Sequence, residues 1–189
     1  MAKKKTKTSK KALDLVGYEG NVHLRVVKNN VTIKELKIHN LGTTRLFKGI
    51  ALALLGASST DLVGFIPKYL GVGYENPLTD TSVSDTELHG YGLNSHSPRV
   101  SVIPLNVREY LEENTLVGYV APFQAVIPSS IVSILGSSQK LNEIGLFGTS
   151  ETGTLLARIK LPTEVEIPSG SSLIVQWDII IRNYPQENQ

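Results

Sequence analysis

Cysteine is absent from this 189-residue chain. Its absence removes disulfides, thiolate zinc sites, iron–sulfur clusters and thiol nucleophiles together, while leaving either redox compartment open. Aromatic residues are scarce at 6%, with a single Trp, so a carbohydrate-binding surface has few rings to build on; Tyr74 and Tyr91 are the candidates. Long apolar runs are also missing. The longest, residues 49–57, is roughly half of what a bilayer-crossing helix needs, and residues 12–17 are too short and interrupted for the apolar region of a signal peptide. No membrane partner is expected. Gly-x-Ser-x-Gly does not occur, and Gly71-Val-Gly73 lacks the third glycine and the following helix of a nucleotide-binding turn. Neither a small-molecule substrate nor a cofactor is expected.

What the chain does have is an uneven charge. Lys3, Lys4, Lys5, Lys7, Lys10 and Lys11 place six positive charges in the first eleven residues, with no acid among them. The chain has 19 basic residues in all, so the remainder carries 13 against 17 acidic ones. A basic arm precedes a mildly acidic body. Low-complexity Lys/Thr/Ser sequence is expected to be flexible until a partner orders it. An acidic protein surface suits it best, a solubilising tail next. Nucleic-acid phosphates would also attract it, but the body has no basic stripe with interleaved aromatics, which argues against nucleic acid as a partner.

Periodicity predicts a mostly-β chain. Residues 21–38 read as a hairpin, with Lys28-Asn29-Asn30 supplying residues that tolerate positive φ. One helix is expected over residues 43–55, capped by Thr43 or Thr44 and stopped by Gly56, with Leu46, Ile50, Ala53 and Leu54 as its apolar stripe and Ala51, Leu52 and Leu55 broadening it. Strands are expected at 65–73, 99–107, 115–127, 131–135, 141–147, 154–161, 164–167 and 172–182. The polar stretch 74–98 is too long for an ordinary connection and reads as a binding or interface loop. In the last strand Leu173, Val175, Trp177, Ile179 and Ile181 share a core face, while Ile174, Gln176, Asp178, Ile180 and Arg182 share the other. The fold class is a β-sandwich of antiparallel strands with one packed α-helix and a flexible basic N-terminal arm. Residues 1–20 form the arm, 21–184 the sandwich domain and 185–189 a short tail.

Chemistry has few footholds. Glu87, His89 and His96 are the one cluster with metal-ligand types, but they lie on a Gly/Ser loop without the spacing of a rigid site. His23 reads as a solvated strand residue and His39 as a turn residue. Asp80 with Asp85, and Glu112 with Glu113, read as exposed loop or turn acids. No metal site and no enzymatic activity are expected.

Taken in order, a series of motifs has a familiar shape. Asn40-Leu-Gly42 precedes the apolar helix ending in Leu54-Leu55-Gly56, and Lys68-Tyr-Leu-Gly-Val-Gly73 follows. Then come Pro77, Ser84-Asp-Thr-Glu-Leu88, Arg99, Leu141-Asn-Glu-Ile-Gly-Leu-Phe147, Gly153-Thr-Leu-Leu-Ala-Arg158 and Ser172-Leu-Ile-Val-Gln-Trp-Asp-Ile179. This order resembles small structural proteins of tailed bacteriophages, a group found among baseplate and tail-fibre-associated components. The sequence departs from the pattern after Leu88, where His89-Gly-Tyr-Gly-Leu-Asn replaces an expected glutamate.

The resemblance implies a virion structural protein, assembled in the host cytoplasm, that binds neighbouring subunits as a tail, baseplate or fibre-attachment part. Its partners would be other virion proteins, and a homo-oligomer is expected. A capsid-decorating or head-fibre protein and a carbohydrate-binding receptor module are the alternatives. Glu143, Gly145, Phe147, Arg158 and Trp177 take core-building roles, with Glu143 and Arg158 as a cross-strand pair of modest value and Gly145 beneath Trp177. The lysine arm, Tyr74 and Tyr91 are the expected partner-binding residues. Ile174 with Ile180, or Phe65 with Tyr69, are candidates for an interface.

Overall fold

Two asparagines decide the first hairpin. Asn29 and Asn30 both adopt left-handed backbone, with φ of 51° and 63°. A two-residue primed turn needs that conformation at both positions, and Asn reaches it at low cost. They join β1 (Val16–Lys28) to β2 (Val31–Gly42) as the alternation predicts. The structure, a computed structural model, describes residues 16–74, 82, 84, 85, 88, 99–130, 140–150 and 154–183. β1 starts with Val16 opposite Asn183, so residues 16–20 are strand rather than arm. The helix α1 (Thr44–Leu54) follows, then β3 (Tyr69–Tyr74), β4 (Val100–Ser101), β5 (Ile103–Pro104), β6 (Arg108–Glu112), β7 (Thr115–Ile127), β8 (Lys140–Phe147), β9 (Leu155–Glu166) and β10 (Ser172–Asn183).

The strands form two antiparallel sheets of a β-sandwich. In the first, β2, β1, β10 and β7 lie side by side, with β5 and β6 both on the far edge of β7. In the second the order is β4, β3, β8, β9. Two corners join the sheets. β2 pairs with β1 for most of its length, then turns so that Leu41 and Gly42 pair with Arg158 and Ala157 of β9. On the opposite side β4 pairs with β3 and β5 with β7, and only Val102 separates β4 from β5. The Val102 amide donates to the Lys68 carbonyl and the Leu105 amide to the Pro122 carbonyl, carrying the chain from one sheet to the other. Corner strands of this kind leave few free edges for unwanted pairing.

The inner faces supply the core. Val22, Leu24 and Val26 of β1 meet Leu173, Val175 and Trp177 of β10, and across the sandwich lie Leu70, Val72, Ile144, Leu146 and Ile159. Trp177 is wholly buried among them. Leu46 brings α1 into the same core. Thr43 stands at the helix N-terminus, but its hydroxyl donates to the carbonyls of Leu155 and Leu156 at 3.0 and 2.9 Å rather than capping the helix. It thereby fastens the helix to β9.

Several expectations change. The strand expected at 65–73 begins at Tyr69, because residues 59–65 form turns. The stretch 99–107 is two short pieces, and β6 was not foreseen. Residues 154–161 and 164–167 are one strand, β9. At the end of β10 Ile180 is buried and Ile181 exposed, reversing the expected faces. Leu54 points to solvent, and Leu46 and Gly49 are the buried residues of α1. The strand expected at 131–135 lies outside the described residues.

Trp177 is the largest side chain in this core, and its removal leaves a cavity that the flanking strands cannot close. Trp177→Ala is expected to lower unfolding free energy by about 3–5 kcal/mol, read from the midpoint of a urea titration followed by circular dichroism.

Candidate interaction surface

Glu143, Gly145, Phe147 and Arg158 all converge, on the outer face of the second sheet. Arg158 stands opposite Gly145, and Glu143 opposite Lys160, so the two charged residues are diagonal neighbours across β8 and β9. The Arg158 Nε donates to Glu143 Oε2 at 2.6 Å, and its Nη1 donates to Asp85 at 3.0 Å. The side chains of Arg158 and Glu143 are at most 1% exposed, and that of Asp85 is 7% exposed. The expected pair of modest surface value is therefore a buried three-residue ion cluster. Asp85, read from sequence as an exposed loop acid, is its third member.

Glycines make room for this cover. A Cβ on Gly73 would lie 2.5 Å from Glu143 Cγ and Oε1. A Cβ on Gly145 would lie 2.7 Å from Leu88, 2.8 Å from Leu155 and 2.9 Å from Phe147. Gly71 opens the same trough beside Phe147, Arg99 and Leu88. Leu88, Phe147 and Leu155 pack there as a small second core, with Tyr69 at its side. Gly145 thus lies beneath Leu88 and Phe147 and not beneath Trp177. The Arg99 guanidinium stacks 3.7 Å from the Phe147 ring centroid and donates to the Thr149 carbonyl and the Thr154 hydroxyl. Glycines at alternate positions of one strand were the sequence signal for a closely covered face.

The outer face of the first sheet is polar. A cleft of about 410 Å³ lies across β2, β1 and β10, lined by Asn21, His23, Lys37, His39, Gln176 and Asp178. His23 Nε2 is 2.5 Å from Glu35, and His39 Nδ1 is 3.2 Å from Asn21. Arg108 reaches Asp178, and Arg182 reaches both Glu19 and Glu112. The residues lining the cleft include no Phe, Tyr or Trp, and among the described residues no three His, Cys, Asp or Glu come together as metal ligands do.

Many of the exposed large apolar side chains fall in two stretches, while Val31, Ile33, Ile103, Val126 and Ile181 are exposed elsewhere. Phe47, Leu54, Leu55, Val63 and Ile66 belong to α1 and the turns after it, where Leu54 and Leu55 are 83% and 84% exposed. Leu105 and Val107 just before β6, and Leu111, Leu116 and Tyr119 on the β6–β7 hairpin, make up the other. Of the residues proposed from sequence as an interface, Ile180 is buried, and Ile174, Phe65 and Tyr69 are half-buried. The backbone of Tyr74 ends β3. Tyr91, the six arm lysines, Glu87, His89 and His96 lie outside the described residues.

Removing the cation from the ion cluster leaves two carboxylates without it, so Arg158→Met is expected to cost about 3–5 kcal/mol in chemical denaturation. Gly145→Ala is expected to cost about 1–3 kcal/mol by overpacking. Combining it with Leu88→Ala should recover part of that loss; strictly additive losses in the double-mutant cycle would show that Leu88 does not press on Gly145.

Compared with known proteins, the chain matches no family model, no curated protein and no solved structure.

Proposed function

We propose that this chain is a structural protein of a tailed-bacteriophage particle, a tail, baseplate or fibre-attachment part whose work is to bind neighbouring protein subunits. The observation that carries the binding role is the grouping of exposed apolar side chains. Single exposed leucines are ordinary on a protein surface, whereas clustered ones rimmed by charge mark docking sites. Each group has members on a regular element, Phe47 and Leu54 on α1 and Leu111, Leu116 and Tyr119 on the β6–β7 hairpin, held by a framework tied at two corners. A rigid frame spends little ordering entropy on association. The motif order from residues 40 to 182 supports the placement in a phage particle, and a capsid-decorating or head-fibre role would draw on the same surfaces.

Mass spectrometry of gradient-purified particles, from the phage that encodes the chain, tests the reading. The chain should be present at a copy number set by the symmetry of its location, and antibody labelling should mark one position on the particle. Absence from washed particles, with the chain abundant in the lysate, would rule the proposal out.

A further inference from the structure

The two exposed apolar groups carry opposite charge. In α1 the residues Phe47, Ala51, Leu54 and Leu55 fall on one side of the helix at i, i+4, i+7 and i+8, and all four are exposed. This outward stripe is why the helix is apolar around so much of its circumference, since Leu46 and Gly49 already fill its inward face. A helix apolar on two sides calls for a second partner. Bases outnumber acids in this stretch: Arg45, which is turned to the Gly64 carbonyl and the Phe65 ring, and the exposed Lys48 and Lys68 stand against one acid, Asp61, across residues 44–68. That acid is occupied locally, taking hydrogen bonds from the Ser58 amide at 3.1 Å and the Ser58 hydroxyl at 2.6 Å.

The β6–β7 hairpin is the converse. Leu111 faces Leu116 and Glu109 faces Tyr119 across its two strands. Glu109, Glu112 and Glu113 are exposed there; Arg108 is turned to Asp178 and Arg182 pairs with Glu112, which leaves Glu109 and Glu113 as the acids of the hairpin face and tip. The turn residues Glu113 and Asn114 both take positive φ, 49° and 68°. Asn suits that conformation and Glu does not, so the sequence keeps an acid at the tip where glycine would be the easier choice.

We infer that copies of this chain associate head to tail, the apolar, basic end of α1 on one copy against the apolar, acidic β6–β7 hairpin of the next. The two surfaces differ from each other, and such a contact is heterologous: it closes into a ring or runs on as a filament, according to the rotation between copies. The inference rests on the subunit-binding function and adds the partner and the polarity.

Charge reversal on each surface tests it, with the full chain in sedimentation velocity at low and high salt. Lys48→Glu with Lys68→Glu makes the helix end acidic, and Glu109→Lys with Glu113→Lys makes the hairpin basic. Each double variant alone should self-associate at least about tenfold more weakly than the parent, because like charges then meet. An equimolar mixture should recover association to within about threefold, since every contact in an alternating assembly is again between opposite charges. All four positions are solvent-exposed, and unchanged unfolding midpoints confirm that each variant is folded. A parent chain that stays monomeric at about 1 mM, a loss confined to one variant, or a mixture no better than its parts would overturn the head-to-tail contact. The last two outcomes, with the chain still found in particles, would leave the assembly function standing and remove only this geometry.

Discussion

A buried guanidinium held between two carboxylates is the constraint on which the second sheet depends. Arg158 lies on the outer side of β9, where a sandwich strand ordinarily meets water, yet it is buried with Glu143 and Asp85. Charges withdrawn from water are tolerated only when they are paired closely and the remaining hydrogen bonds are filled. One partner, Glu143, comes from the neighbouring strand, and the other comes from a segment distant in sequence. The cluster therefore specifies where residue 85 must sit, because any other placement would leave Arg158 and Glu143 desolvated with fewer partners. Ion pairs of this sort are better at fixing a unique arrangement than at adding net stability.

Everything nearby is shaped to that cover. Gly71, Gly73 and Gly145 lower the surface of β3 and β8 so that the Glu143 side chain and Leu88 lie flat against the backbone. Arg99 then stacks on Phe147 and ties the start of the corner segment to the Thr149–Thr154 turn. The inner face of the second sheet is packed in the core, and its outer face buries the ion cluster beside Leu88, Phe147 and Leu155. The first sheet differs: its outer face carries paired charges and amides together with the exposed Val31, Ile33 and Val126.

Much of the framework was legible because it obeys simple periods. Asn29-Asn30 marked the first turn, the alternation in β10 marked its core face as far as Ile179, and Thr43 with Gly56 bounded the helix. The failures have physical causes. Glu113-Asn114 turns a hairpin without glycine, so β6 carried no punctuation. Asp85 looks like any loop acid, because a partner 73 residues away in the chain leaves no local trace. The outward stripe of α1 could not be told from its inward one, since helical periodicity gives direction only relative to a neighbour. Gly71 and Gly73 were weighed as a phosphate-binding turn and set aside; their use as space for Glu143 and Leu88 needed the second sheet to be in place.

The position of β10 carries one more consequence, for synthesis. It is the last of the ten strands in sequence, yet it lies between β1 and β7 at the centre of the first sheet. Until Ser172–Asn183 has left the ribosome, the hairpin of β1 and β2 and the strand β7 have no common partner, and the interior has no Trp177. Pairings that span most of the chain form slowly. The frame that holds the β6–β7 hairpin is completed only by the final strand. Nascent chains thus lack a finished first sheet until the last strand has been made.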